Sequence, residues 1–150
     1  MTQTKPLPIA AQIHRPWSPA QAAGFAHHAM LLRARGEHAL AAEALRHALA
    51  GAPRRADYWG ALGVCLAEAH QYEAARRAVS RALRLDAAKV DLWCVFGELS
   101  LELFDYNAAV HAFGKCIALD ARAKHPAGIR ARALVMKLDW TLKQASGAKS

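Results

Sequence analysis

Residues 57–86 read DYWGALGVCLAEAHQYEAARRAVSRALRLD, and 34 residues further on the chain reads DLWCVFGELSLELFDYNAAVHAFGKCIALD at 91–120, in the same register. Trp59 falls on Trp93, Leu62 on Phe96, Gly63 on Gly97, Tyr72 on Tyr106, Ala75 on Ala109, Val79 on Phe113 and Ala82 on Cys116. One step back, Phe25, Ala29, Gly36, Ala41, Leu45 and Ala48 take the equivalent places. Self-similarity at one fixed period marks a supersecondary unit that cannot bury its apolar face alone and does so by stacking on copies of itself. Three such units are expected, at 22–55, 56–89 and 90–123.

The residue types say what the unit is. Hydrophobic residues make up 54% of the chain with only 7% aromatic, a composition that favours close-packed helices over sheet. Within each unit, small residues such as Gly63, Ala75 and Ala82 sit where two antiparallel helices must approach closely. Trp59, Leu62 and Tyr72 are expected to fill the space around them, with Trp93, Phe96, Gly97, Tyr106 and Ala109 repeating the arrangement and Phe25 opening it. The pattern is packing chemistry, and the fold class is all-α.

Local signals mark the ends. Ser18, Pro19 and Gln21 make a capping box with proline at the first helical position. Gly36 suits the turn inside the first unit, where His70 and Phe104 stand in the next two. Gly51 and Pro53 close the first unit, and Asp105 can cap the second helix of the third. A further helical pattern begins at Pro126 with the stripe Ile129, Leu134, Leu138 and Leu142. It is read as a helix over 126–145 that caps the last exposed core face, with 146–150 as a disordered tail.

This pattern resembles the tetratricopeptide repeat, whose signature runs through a large residue, Leu-Gly, Tyr, Ala, an aromatic, Ala and a closing Pro. The resemblance implies a solenoid of three helix pairs plus a C-terminal capping helix, together spanning 18–145, whose first helices line a concave peptide-binding groove. From the repeat register, the inward positions are Ala26, Met30 and Arg33 in the first repeat and Asp57, Gly60, Val64 and Ala67 in the second. In the third they are Asp91, Cys94, Glu98 and Leu101. Such a groove is small and apolar. Relatives that grip the C-terminal carboxylate of heat-shock chaperones use a Lys and Asn pair; Ala26, Met30, Gly60, Val64, Cys94 and Glu98 stand at the corresponding places, so that clamp is absent.

A second resemblance rests on YWGALGVCLAEAHQYEAA at 58–75 together with three repeats and one closing helix. This arrangement is similar to the translocator chaperones of bacterial type III secretion. It implies a chaperone that holds an extended segment of a hydrophobic secreted client in its groove, works in the cytoplasm and forms a homodimer. A generic adaptor bridging soluble proteins is the alternative.

The remaining features bound the function. The formal charge is +8, and Arg77, Arg81 and Arg84 share a helical face at i, i+4, i+7. No aromatic is interleaved for base stacking, so a solvated face is expected rather than a nucleic-acid site. Cys65, Cys94 and Cys116 form no CxxC pair and are read as small core residues in a reducing compartment. The adjacent His27 and His28 point about 100° apart on a helix, and no zinc-spaced Cys/His set, HExxH, GxSxG or glycine phosphate loop is present. No catalytic residue, metal or cofactor is expected. Pro6, Pro8 and Pro16 break residues 1–17 into a flexible arm, whose Leu7 and Ile9 resemble a short client-like peptide.

Overall fold

The computed structural model describes residues 17–148, so residues 1–16 of the arm, with Leu7 and Ile9, and residues 149–150 of the tail lie outside the described residues. Seven α-helices follow one another: α1 Pro19–Ala34, α2 His38–Gly51, α3 Ala56–Glu68, α4 Tyr72–Leu85, α5 Val90–Glu102, α6 Tyr106–Leu119 and α7 Pro126–Gly147. The boundaries themselves keep the 34-residue period, since α2, α4 and α6 begin at 38, 72 and 106, while α3 and α5 begin at 56 and 90. The first helix departs from it by starting three residues early. Ser18 explains this: its Oγ accepts from Gln21 N, and Gln21 Oε1 accepts from Ser18 N, which closes the capping box.

Within each pair the helices are joined by the same turn. Glu37, Gln71 and Asp105 donate their backbone N–H to the carbonyls of Leu32, Leu66 and Ser100, the long-range bond of a Schellman ending. The turn requires a left-handed residue, supplied by Gly36 at φ 79° and then by His70 at 59° and Phe104 at 58°. Two non-glycine residues therefore hold a conformation that the first repeat gives to glycine. His70 gains a partial return, because its Nδ1 lies 2.8 Å from the Tyr72 hydroxyl.

Close approach inside the pairs is visible at the glycines. A Cβ on Gly63 would run into Val79, and one on Gly97 would run into the Phe113 ring; both partners are fully buried. Larger residues fill the periphery. Leu62, Ala75 and Ala109 are buried, whereas Phe25, Trp59, Tyr72, Trp93 and Phe96 are half-buried. Tyr106 does not fill a gap as Tyr72 does; it is 55% exposed, because a single helix follows the last hairpin and leaves its outer flank open.

The junctions between repeats carry polar ties. Trp59 Nε1 donates to the Pro53 carbonyl at 2.8 Å, and Trp93 Nε1 donates to the Ala87 carbonyl at 2.9 Å, again 34 residues apart. At the third junction Asp120 takes over. Its Oδ1 accepts from the backbone N–H groups of Lys124 and His125, and Arg132 Nη1 reaches its Oδ2 at 3.2 Å. Gly128 permits this, since a Cβ there would collide with the Asp120 carboxylate. Burial pushes the Asp120 pKa up, but the two backbone donors and Arg132 outweigh it and hold the carboxyl below its usual range.

The α7 helix packs Ala127 and Ala131, flanked by Leu134, Val135 and Leu138, over Cys94, Phe113 and Cys116. It runs through Ser146 and Gly147 and so overtakes the expected end at 145. At 22 residues it is about 33 Å long, against about 20 Å for the helices it covers. Its final turns, with Trp140 and Leu142, overhang into solvent.

Candidate peptide-binding groove

Between α1 and α3 lies an apolar pocket of about 220 Å³, walled by Ala26 and Met30 from α1 and by Tyr58 and Ala61 from α3, with Ala29, Leu45 and Cys65 on its floor. Met30 is 70% exposed and therefore stands at the lip. A second depression of about 270 Å³ continues past Met30 to Ala34 and Glu68.

Both ends of the pocket carry paired charges. Arg33 Nε donates to Glu68 Oε2 at 2.8 Å and its Nη2 to Oε1 at 2.6 Å, a two-point fork across α1 and α3. That fork holds the Glu68 carboxyl below its usual range. His38 Nδ1 is 2.9 Å from the same carboxylate but outside hydrogen-bond geometry. At the other end Arg55 forks onto Asp57 at 2.9 and 2.6 Å, lowers its pKa, and lies 4.6 Å above the Tyr58 ring. With their charges mutually satisfied, these ends favour an uncharged, extended occupant over a free carboxylate.

The structure brings Ala26, Met30, Arg33 and Asp57 together at this pocket. The other sequence-derived positions lie elsewhere. Gly60 is buried, with Leu92 of α5 within 3.0 Å of where its Cβ would be. Cys94 is fully buried beside Cys116 and Arg130, so it offers no surface to a ligand. Glu98 pairs with Arg130 of α7 at 2.8 Å, and burial outweighs that pairing to raise its pKa. Val64, Ala67 and Leu101 are half-buried, Ala67 and Leu101 among core side chains, and Asp91 is exposed at the start of α5. The reason is geometric. One repeat register selects the same flank of every first helix, whereas a groove between neighbours is built from opposite flanks of the two. Tyr58 and Ala61 escaped the register for that reason, and a one-residue turn about α3 would have found them.

All three cysteines are buried and free. Burial raises each thiol, that of Cys116 to about 11, which fits packing rather than nucleophilic chemistry. Among the described residues no group of His, Cys, Asp and Glu is arranged to hold a metal ion. No helix of the described chain is long and apolar enough to cross a membrane.

Comparison with known proteins agrees with this architecture. Residues 90–122 match the family model described as tetratricopeptide repeat. No curated protein matches the sequence. Among solved structures, PcrH in complex with the chaperone binding region of PopD is similar at 20% identity and a TM-score of 0.77, over 85% of this chain and 98% of that one. PcrH with the chaperone binding region of PopB aligns at 21% identity and a TM-score of 0.73, over 79% and 98%. The Sgt2 TPR domain from Aspergillus fumigatus aligns at 20% identity and a TM-score of 0.73, over 83% and 81%. The chain carries a tetratricopeptide repeat at 90–122 and folds as a tetratricopeptide-repeat solenoid of three helix pairs closed by one further helix.

Proposed function

We propose that this protein is a chaperone that holds an extended segment of a hydrophobic secreted client, a type III secretion translocator, in the groove between α1 and α3. The observation that carries the reading is the apolar pocket whose flanking charges are already paired, Arg33 by Glu68 and Asp57 by Arg55. Aliphatic side chains of a client fill such a surface while its backbone stays extended. The likeness of YWGALGVCLAEAHQYEAA to the translocator chaperones supports it, as does the fold shared with PcrH, itself solved with chaperone binding regions of PopB and PopD. The role requires no catalysis and places the chain in the cytoplasm with its client.

The test uses Ala61→Arg and Met30→Arg, both exposed at the pocket wall and neutral toward the core. Tagged chains are recovered from their native cytosol, and the bound proteins are identified by mass spectrometry. A hydrophobic client that is insoluble alone, bound by the wild type and lost from both variants at unchanged helicity, is the expected result. Retention by both variants rejects the groove. Recovery of soluble components only moves the function to the adaptor alternative. Cys94→Arg is unsuited to this purpose, because an arginine at that buried position disrupts the fold before binding can be read.

A further inference from the structure

The second helices of the three pairs present a solvent face in strict register, with Glu43, Arg77 and His111 at one level and His47, Arg81 and Lys115 at the next. Arg84 extends the row along α4, flanked in register by Ala50 and Ala118. This face is separate from the groove, which α1 and α3 wall. Two carboxylates stand on it, Glu43 and, one turn before Arg77, Glu73, and they pair with Arg46 and Arg76. Arg77, Arg81, Arg84 and Lys115 are exposed and make no ion pair or hydrogen bond among the described residues.

The chain has little means of neutralising them itself. Nine of its twelve acidic residues face a basic partner: Glu43, Asp57, Glu68, Glu73, Asp86, Glu98, Asp105, Asp120 and Asp139. Of the remaining three, Glu37 precedes α2, while Asp91 and Glu102 belong to the first-helix layer. The basic row is an uncompensated surface.

We infer that this face docks an acidic α-helix of a second partner protein, independently of any client in the groove. Spacing selects that occupant. Arg77, Arg81 and Arg84 advance in steps of about 6 and 4.5 Å along α4, which is the interval between carboxylates at i, i+4 and i+7 on a facing helix. Arginine forks onto a carboxylate at three places in this structure, Arg33 on Glu68, Arg55 on Asp57 and Arg130 on Glu98. No Phe, Tyr or Trp stands in the row, and the exposed Trp17 at its border is engaged edge-on with Phe25 and His47, which disfavours single-stranded nucleic acid.

The experiment measures binding to the full chain by fluorescence anisotropy with a synthetic helical peptide bearing Glu at i, i+4 and i+7, and with its Gln counterpart. A single-stranded RNA oligonucleotide and phosphatidylserine vesicles serve as the competing anions. Arg77→Gln/Arg81→Gln/Arg84→Gln is compared with Arg35→Gln/Arg54→Gln/Arg122→Gln, which removes the same charge from exposed, unpaired sites elsewhere. The Glu peptide is expected to bind, the Gln peptide not, and the first variant to lose about tenfold in affinity while the second loses less than about twofold. Equal losses in the two variants, no binding of the Glu peptide, or tighter binding of RNA or vesicles through the same arginines would overturn the inference.

Discussion

Gly63→Ala probes the close approach that defines each helix pair. The added methyl meets the Val79 side chain, which is fully buried, and stands 3.2 Å from the Ala75 carbonyl oxygen and the Val79 backbone nitrogen. Overpacking of this kind costs about 1–3 kcal/mol, from which about 1 kcal/mol is recovered because alanine is the better helix former. A net loss of up to about 2 kcal/mol follows. Val79→Ala removes two methyl groups, worth about 0.8 kcal/mol each in transfer, and the remaining cavity brings the loss to roughly 2–3 kcal/mol. Combined in one chain, the two changes compensate, since the new methyl occupies the space Val79 vacated. The double variant is expected to lose only about 2 kcal/mol, leaving a coupling of about 1–2 kcal/mol between the sites. Urea unfolding followed by far-UV circular dichroism measures all three variants against the wild type, with a constant m-value as the check that the transition is unchanged. Additivity within about 0.5 kcal/mol would refute the contact and with it the packing explanation of the Leu-Gly signature.

The left-handed turns give the opposite sign: His70→Gly and Phe104→Gly should each stabilise the fold by about 1 kcal/mol in the same assay, less for His70, which surrenders its Tyr72 contact. Gly128→Ala should displace Asp120 and detach α7, seen as early hydrogen exchange across 126–147 while exchange in α3 and α4 is unchanged. Glu68, with its pKa lowered by Arg33, stabilises the fold above the usual glutamate value, and this contribution is lost as pH falls through the lowered one. Glu68→Gln therefore costs up to about 1 kcal/mol at pH 7 and nothing once both forms are protonated. Glu98 has the reverse sign, because its raised pKa favours the protonated form below the usual value and that benefit fades as pH rises. Glu98→Gln should consequently be tolerated at pH 7.

The architecture was legible in the sequence because its determinants are local or periodic. The Ser18 cap depends on residues within one turn, and the Gly63 and Gly97 contacts recur at one interval. The lining of the pocket between α1 and α3 was only half legible. Ala26, Met30, Arg33 and Asp57 came from the register, but Tyr58 and Ala61 face the pocket from a flank that periodicity along one helix does not distinguish. Tyr106 went astray because it lies where the repeats stop, beside no further pair, whereas Cys94 is buried beneath the next element as its register equivalent Gly60 is against Leu92. A repeat pattern describes the interior of an array and is silent about its last surface. The basic row on α4 was visible as residues, but its lack of internal partners required knowing where the nine paired carboxylates lie.

The ties at the junctions bear on how tightly anything is held. Trp59 on the Pro53 carbonyl, Trp93 on the Ala87 carbonyl and Asp120 at the foot of α7 fix each unit against the next. A receptor so braced is ready before its guest arrives and pays little to receive it. The guest pays instead, at about 1–2 kcal/mol for each residue whose backbone it immobilises. If the proposed groove is the seat, a segment anchored there must offset that cost from its own side chains, so its hold depends on how many of them the receptor takes in rather than on any motion of the receptor.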